Sequence, residues 1–263
     1  MPTPVENTSM AIILPLRPQK ALESSRREKE KDKMERITVK LPGKGDFFTQ
    51  EAFKVLRTNL QFCGDNVHIV ALTSCNENEG KTTVTLGLGK SLAELGRKVL
   101  IIDADMRKSV MAGRNTNVKN AFGLSELLTG QCSLADCIYA TQYESMHIIF
   151  AGKYPPNPVE LLNGENFSAL LTELKNYYDY ILIDTPPLGR VIDAATIAPN
   201  CDGTILVIDG ENIRRTQAQE VVEQLNKVGG KLLGAVWNNT QKRKFAYYSK
   251  SGHYGKYGEY GQR

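Results

Sequence analysis

Thr73-Ser-Cys-Asn-Glu-Asn-Glu-Gly-Lys-Thr-Thr83 is the stretch that decides the fold, because of what stands on either side of it. The apolar run 67–72 precedes it, and apolar residues at helical spacing follow from residue 84. A strand, a loop and a helix in this order form a P-loop, whose backbone N–H groups and helix N-terminus surround phosphates. Lys81 adds a mobile positive charge, and Thr82 adds a hydroxyl suited to Mg²⁺. The stretch therefore predicts a phosphate-binding loop.

The loop departs from the pattern GxxxxGK[ST] at its first glycine. Cys75 stands in that position, so Gly80 is the only glycine in the loop. We expect Asn78 to replace one glycine, because asparagine tolerates a positive φ better than most residues do. Taken alone, the segment is also compatible with an ordinary polar turn that contains a lysine.

Two further apolar runs of strand length end in carboxylates. One ends at Asp103, with Asp105 and Arg107 directly after it, and the other ends at Asp184. A single Asp after a strand is typical of a helix cap or a turn. However, ligands of open α/β sheets gather at the carboxyl ends of parallel strands. Three motifs in the right order therefore predict one site at that edge, shared with Lys81.

Strands and helices alternate along the central part of the chain, which predicts an α/β fold. The fold class is a doubly wound, mainly parallel sheet of P-loop NTPase type with helices on both faces. The predicted strands are 67–73, 98–103, 146–150, 179–184, 203–208 and 232–236, and the predicted helices are 81–95, short segments near 124–129 and 133–138, 165–177, 191–198 and 213–228.

Composition and charge divide the chain into three parts. Residues 1–44 carry a net charge of +4 and are predicted to be a largely solvated arm. Residues 45–240 carry −5 and form the predicted domain, and residues 241–263 carry +5 as a tail. The tail holds five of the eleven tyrosines: Tyr247, Tyr248, Tyr254, Tyr257 and Tyr260.

The same composition excludes several classes of protein. Five cysteines without a CxxC pair favour a reducing compartment over a disulfide framework. The three histidines have no zinc-ligand spacing. No apolar run approaches the roughly 18 residues that span a bilayer, and the N-terminus lacks the pattern of a signal peptide. We therefore expect a chain that neither spans a membrane nor is secreted.

Together these motifs resemble the bacterial tyrosine kinases of capsule and exopolysaccharide assembly, of the cytoplasmic, separately encoded type. The resemblance covers residues from about 47 to the C-terminus. It rests on Glu79-Gly-Lys-Thr-Thr83, Asp103-Ala-Asp-Met-Arg107, Asp184-Thr-Pro-Pro187, the terminal tyrosines, Gly123-Leu-Ser-Glu-Leu-Leu-Thr-Gly130, Pro155-Pro-Asn-Pro-Val-Glu-Leu-Leu162 and Glu51-Ala-Phe-Lys54-Val-Leu-Arg57.

The chain departs from the family in two places. Glu77 and Asn78 stand where Pro-Gly is common, which is expected to shift nucleotide affinity. Lys54 stands where the family pattern ExxRxxR has arginine, which is expected to weaken a bidentate contact between subunits.

The resemblance implies transfer of the γ-phosphoryl group of Mg²⁺-ATP to tyrosine. Lys81, Asp103, Asp105 and Asp184 are then the predicted catalytic residues. Asp103 is the candidate to accept or orient the tyrosyl proton, although the sequence leaves the separate roles of Asp103 and Asp105 open. The predicted Mg²⁺ ligands are Thr82 with Asp105 or Asp184. The predicted nucleotide-binding residues are Asn78, Glu79, Gly80, Lys81, Thr82, Thr83, Arg107 and Asn238.

Two of these assignments have a plain structural alternative. Asn238 follows the last predicted strand, where the family reads adenine, but it is equally compatible with a capping or ladder role. Arg107 either binds phosphate or pairs with a neighbouring carboxylate.

Further implications concern assembly and partners. The five tail tyrosines are the predicted phosphoacceptors, modified in trans within a homo-oligomer, with a ring expected. Its predicted contact is Glu51, Lys54 and Arg57 on a helix at 49–62, and a solvated charged face is the alternative. The expected partners are a membrane adaptor or chain-length regulator with a cytosolic activating tail and a cognate tyrosine phosphatase. The expected location is the cytoplasm, with recruitment to the inner face of the membrane.

Two other functional classes are compatible with parts of this sequence. Partition and septum-positioning ATPases share the predicted fold, but their loop carries an additional lysine five residues before the invariant one, where this chain has Asn76. A nucleic-acid-binding module would use the basic, aromatic tail for stacking. That reading leaves the three nucleotide motifs unexplained, so no nucleic-acid partner is expected. A solvated terminus without function is the simplest alternative for the tail.

Overall fold

The computed structural model describes residues 34–41, 47–116, 118, 121–210 and 213–239. Its strands are β1 Ile69–Ser74, β2 Val99–Asp103, β3 Ile138–Ala140, β4 Met146–Ile149, β5 Tyr180–Asp184, β6 Gly203–Asp209 and β7 Leu232–Asn238. Its helices are α1 Phe47–Gln61, α2 Lys81–Ala93, α3 Met111–Asn115, α4 Leu124–Leu128, α5 Leu134–Cys137, α6 Pro158–Asn163, α7 Glu165–Leu174, α8 Asp193–Ile197 and α9 Arg215–Lys227. A short 3₁₀ turn, Ala198–Asn200, follows α8.

The seven strands form one sheet in the order β3-β4-β2-β5-β1-β6-β7. All neighbouring pairs are parallel except β3 with β4. The mainly parallel sheet predicted from the alternation of elements is therefore confirmed. Strands β2, β5 and β1 lie side by side at its centre, and Asp103 pairs in register with Asp184. Their carboxyl ends, and the loops that leave them, meet at one edge.

Helices cover both faces of this sheet, as predicted. Alternate residues of β6 separate into two packed clusters, because successive side chains of a strand point to opposite faces. Ile205 and Val207 join a cluster that contains residues of α1 and α2. Leu206 and Ile208 join a second cluster with residues of α8 and α9.

Close approach of α1 to α2 depends on a glycine. A Cβ atom at Gly87 would lie 2.1 Å from the ring of Phe53, so the glycine makes room for the ring. The helix buries Leu60 and half-buries Phe53 and Leu56, in keeping with the predicted inward face, while Val55 is exposed.

Short elements account for most differences from the predicted secondary structure. Strand β3 has only three residues, too few for a hydrophobic pattern, and it was not predicted. The same holds for α3 and α6, which have five and six residues. The longer elements were predicted to within a few residues, and α9 ends before Gly229, which has a φ of 77°.

Part of the predicted N-terminal arm belongs to the packed domain. Ile37 and Val39 are buried in the core. The Ile37 N–H donates to the Ala140 carbonyl at 2.8 Å, and the Ala140 N–H donates to the Glu35 carbonyl at 3.0 Å. An isolated bridge between Arg36 and Ala140 thus joins this segment to the edge of the sheet, and the boundary at residue 44 lies too late for it.

Contacts between residues divide the chain into Met1–Met34 and Glu35–Arg263, and the sheet lies in the second unit. The tail at 241–263, with its five tyrosines, lies outside the described residues, as does the arm before residue 34. Among the helices of the described ranges, none is long and apolar enough to cross a bilayer.

Candidate functional site

The loop between β1 and α2 has the backbone that a phosphate cradle needs. Asn78 has a φ of 62° and Gly80 a φ of 87°, so the prediction that Asn78 takes a glycine-like conformation is confirmed. A second reason also requires glycine at position 80, because a Cβ there would lie 2.1 Å from Asn238 Nδ2. A side chain at Gly80 would therefore meet both backbone strain and a clash.

Glu79 closes this loop on itself. Its buried carboxylate oxygen Oε2 accepts the N–H groups of Cys75 and Asn76 at 2.8 and 2.9 Å. Its carbonyl accepts the side-chain amide of Asn238 at 2.9 Å. The Glu79 side chain thus holds the start of the loop, where the sequence suggested a nucleotide-binding role. Asn238, at the end of β7, anchors the same loop.

Helix α2 begins inside the site. The first intrahelical hydrogen bond runs from the Val84 N–H to the Gly80 carbonyl at 2.9 Å. The N–H groups of the preceding first turn have no intrahelical acceptor, and they make the helix N-terminus an anion site. A cavity of about 560 Å³ opens beside this turn, and Lys81, Thr82 and Thr83 line it.

Asp184 supplies an unsatisfied oxygen to this cavity. Its Oδ2 accepts the Thr82 hydroxyl at 2.6 Å, whereas its Oδ1 is buried and accepts no hydrogen bond. Burial raises the pKa of Asp184 to about 6, against the opposing effects of the Thr82 hydrogen bond and the Lys81 charge. A buried oxygen without a partner is costly unless a ligand satisfies it.

Asp103 and Asp105 occupy different places, which the sequence left open. Asp103 is 1% exposed, and its two oxygens accept the Ser109 hydroxyl and the Asp105 N–H. Asp105 lines the cavity and accepts the Lys108 N–H at 2.9 Å. Burial raises the pKa of both carboxyls, and the nearby Asp184 adds to the effect on Asp103. Asp103 therefore lies behind the cavity wall and Asp105 lies in it.

Arg107 pairs with a carboxylate, the second of its two sequence alternatives. Its Nε donates to both oxygens of Asp193, at 3.0 and 3.1 Å. Asp193 is 1% exposed and begins α8, so the pair ties α8 to the loop after β2. Arg107 also lines the cavity, and its pairing does not remove it from the site.

Several cavity residues were missed by sequence reasoning. The wall also contains Lys108, Arg114 and Arg190, and Lys108 pairs with Glu77 at 2.6 Å. Arg190 could have been predicted, because it lies six residues after Asp184 in the same loop region. Arg114 could not, because it lies on the unpredicted α3. With Lys81 and Arg107 these side chains outnumber the carboxylates of the cavity wall, and the excess of positive charge suits a polyphosphate.

The predicted oligomer contacts lie on α1, away from the cavity. Glu51 and Lys54 form an exposed ion pair with each other at 2.6 Å. Arg57 is engaged within the chain, where its Nη1 donates to the Ser91 carbonyl on α2 at 2.7 Å. The tail tyrosines lie outside the described residues.

Comparison with known sequences adds a consistent set of relatives. Residues 67–233 match the family described as AAA domain. The chain is 42% identical to the tyrosine-protein kinase CpsD of Streptococcus agalactiae over 79% of this chain and 90% of that protein. It is 37% identical to CpsD of Streptococcus pneumoniae over 79% and 92%, respectively.

Solved structures give the same result. The VpsO kinase domain superposes with a TM-score of 0.69 at 34% identity, covering 84% of this chain and all of that one. The kinase domain of the Escherichia coli tyrosine kinase ETK has a TM-score of 0.70 at 32% identity, covering 74% and 76%. The septum site-determining protein MinD of Pyrococcus horikoshii, complexed with Mg-ADP, has a TM-score of 0.55 at 30% identity over 67% and 72%.

Proposed function

The chain belongs to the bacterial tyrosine-protein kinases, and from this premise we propose that its P-loop cavity transfers the γ-phosphoryl group of ATP to tyrosine. The observation that carries the assignment of the site is the buried, unpartnered Oδ1 of Asp184 beside Thr82. The alternative function, a partition-type ATPase switch, is less supported, because the lower TM-score belongs to MinD and Asn76 replaces its signature lysine.

The residues around Asp184 fit a Mg²⁺ ion that accompanies ATP. Magnesium prefers hard oxygen ligands, usually one or two from the protein together with water and phosphate. Thr82 and Asp184 would hold it, and Asp105 lines the same cavity. When bound, the ion would neutralise charge on the phosphate oxygens.

The chain's own groups act mainly by positioning and by charge. Lys81 and the N–H groups of the first turn of α2 bind the phosphates, and Arg107 adds a cation at the cavity wall. Asp105 orients the tyrosyl hydroxyl and accepts its proton. Asp103 is a positioning residue, because its carboxylate holds the Asp105 N–H at 3.1 Å. Asn238 fixes the loop, and adenine recognition by its side chain stays a prediction.

The test is intact mass spectrometry of the purified protein with and without Mg²⁺-ATP, followed by peptide mapping. A tyrosine kinase gains phosphate on tyrosine, and the Lys81→Met protein does not. Release of ADP without any phosphotyrosine would instead support a partition-type ATPase.

We also propose the biological setting that the resemblance implies. The kinase regulates capsular or exopolysaccharide synthesis and export. A membrane adaptor with a cytosolic activating tail recruits it to the inner face of the membrane, and a tyrosine phosphatase reverses the modification. Co-purification with the adaptor's cytosolic tail tests the recruitment. A rise in the autophosphorylation rate when that tail is added tests the activation.

The tail tyrosines are expected to be phosphorylated in trans, and this modification is expected to dissolve the assembly. Each phosphate adds about −1.5 to −2 charges, so three phosphates roughly cancel the tail's +5 and a fourth makes the tail negative. Attraction to the −5 core of a neighbouring subunit then weakens, within the reach that salt screening allows. The test mixes a Lys81→Met protein that has an intact tail with an active protein whose five tail tyrosines are Phe.

In this mixture phosphate should appear on the tail of the inactive protein, and the oligomer mass should fall at the same time. Label confined to the remaining tyrosines of the active chain would show that the tail is not the substrate in trans.

Assembly is expected to depend on Glu51 and Lys54. Their side chains are 43% and 50% exposed and pair with each other, so a neighbouring subunit can replace that ion pair at little cost. Glu51→Ala/Lys54→Ala should lower the mass measured by light scattering without lowering the thermal unfolding midpoint. Arg57→Ala is the comparison variant, because it also removes the hydrogen bond to Ser91 and should lower the midpoint. An unchanged mass in the double variant would refute the contact.

A further inference from the structure

Cys132, two residues before α5, and Cys137, the last residue of α5, form a sulfur pair. Their Sγ atoms lie 2.6 Å apart, which approaches the S–S bond length of about 2.05 Å. No sequence signal paired them, because their spacing is not CxxC and the odd number of cysteines indicated free thiols. The pair lies beside β3, outside the residues that line the nucleotide cavity.

The turn between the two cysteines is held by its own side chains. Asp136 accepts the Ser133 hydroxyl at 2.5 Å and the Ser133 N–H at 3.1 Å. These bonds form a capping box that fixes the residue after Cys132 to the residue before Cys137. The two sulfurs are therefore brought together by local structure rather than by chance contact of mobile side chains.

The two thiols differ in access. Cys132 is partly exposed, whereas Cys137 is fully buried and its sulfur contacts the Gly123 carbonyl at 3.6 Å. Burial and the neighbouring Cys132 sulfur raise the pKa of Cys137. An oxidant from solvent therefore reaches Cys132 first, and Cys137 is placed to resolve the product.

The remaining three cysteines have no such neighbour among the described residues. The sulfurs of Cys63 and Cys201 contact the carbonyls of Asn59 and Ile197, at 3.3 and 3.4 Å. Cys75 is buried, and burial raises its pKa to about 12. Cys63 is partly exposed like Cys132, so it serves as an internal control.

We propose that Cys132 and Cys137 form a reversible intramolecular disulfide, which makes this corner of the kinase an oxidation site. The oxidant class is a small disulfide such as oxidised glutathione. The Cys132 thiolate attacks one of its sulfurs, which forms a mixed disulfide and releases one glutathione thiolate. The Cys137 thiol then loses its proton as its sulfur attacks Cys132 Sγ, and the second glutathione is released. Two protein thiols are oxidised, two protons are released, and one disulfide is reduced to two glutathione thiolates that take them up.

Differential alkylation of the full chain tests this. The reduced, desalted protein is incubated with oxidised glutathione, unfolded, alkylated with iodoacetamide and mapped by mass spectrometry. Cys132 and Cys137 should escape alkylation together, appear in one linked peptide, and become alkylatable again after dithiothreitol. Cys63 should not enter any linked peptide. Full alkylation of Cys137, or Cys132 found only as its glutathione adduct, would overturn the proposal.

Two variants test the order of the steps. In Cys137→Ala the reaction should stop at the glutathione adduct on Cys132, and in Cys132→Ser the buried Cys137 should remain fully alkylatable after unfolding. A linked peptide between Cys132 and any other cysteine in Cys137→Ala would contradict a dedicated pair. Cys137→Ala removes a buried side chain and can impair folding. Cys132→Ser changes a partly exposed side chain, so it still tests the pair if Cys137→Ala folds poorly.

Discussion

Replacement of Lys81 by Met is expected to reduce tyrosine phosphorylation by on the order of 10³-fold or more, while the fold is retained. Lys81 lines the cavity at the first residue of α2, where we propose that its charge binds the phosphates of ATP. Methionine has a similar length and a similar helix propensity. The hydrogen bond from the Thr85 hydroxyl uses the Lys81 carbonyl, at 2.9 Å, and survives the substitution.

Lys90→Met is the matched control on the same helix. Lys90 pairs with Glu94 at 3.5 Å and does not line the nucleotide cavity. The Lys90→Met protein should keep near wild-type activity. Initial rates of phosphotyrosine formation, measured by mass spectrometry, are compared with thermal unfolding midpoints. A folded Lys81→Met protein that still phosphorylates its tyrosines at a comparable rate would contradict the assigned role.

Nucleotide binding has a natural spectroscopic probe. Trp237 is the only tryptophan of the chain, is exposed, and precedes Asn238, which anchors the phosphate loop. Its indole packs against Gly210, where a Cβ would lie 1.9 Å from Nε1. A change in its fluorescence on addition of ATP separates a loss of binding from a loss of chemistry in each variant.

The fold was predictable because its signals are local. Long apolar runs marked the buried parallel strands, and the order of strand, loop and helix marked the P-loop. Lys81, Thr82, Asp105 and Asp184 then fell into one cavity, because the carboxyl ends of adjacent parallel strands must meet. Such an inference needs only the direction of each strand, which the alternation of elements supplies.

The remaining features depend on side-chain directions and on contacts distant in sequence. Asp103 and Asp105 are two residues apart, and only the turn after β2 decides which one lies in the cavity. Arg107 meets Asp193 across 86 residues. The carboxylate of Glu79 turns back to its own loop, although its position in the motif suggested a ligand. Neither spacing nor composition carries this information.

A second substitution with a large expected effect, Asp184→Asn, separates the needs of catalysis from those of folding. Phosphotransfer should fall by on the order of 10²-fold or more, because an amide oxygen is a poorer Mg²⁺ ligand than a carboxylate. In the wild type, Mg²⁺ competes with a proton for the Asp184 carboxylate, because burial raises the pKa of this group to about 6. Affinity for Mg²⁺-ATP should therefore weaken as the pH falls through about 6. The variant should lack this pH dependence.

Folding stability should change in the opposite direction. The folded pKa of Asp184, about 6, lies above the value of about 3.9 for an unfolded aspartate. Between these values the folded state binds more protons, so its stability falls as the pH rises and stays lowered above pH 6. Asparagine has no charge to desolvate and still accepts the Thr82 hydroxyl. Ligand-free Asp184→Asn should therefore unfold at a higher temperature than the wild type at pH 7.5, by several degrees.

Asp202→Asn is the matched control for this effect, with the opposite sign. Burial opposes ionisation of Asp202, but the N–H groups of Ile69 and His68 and the Lys175 ammonium outweigh it and lower its pKa. Its carboxylate therefore stabilises the fold above the unfolded pKa, and that stability is lost as the pH falls through the lowered value. At pH 7.5 this variant should unfold at a lower temperature than the wild type. A destabilised Asp184→Asn protein would show that the Asp184 carboxylate stabilises the fold, and would contradict its assignment as a group that needs a ligand.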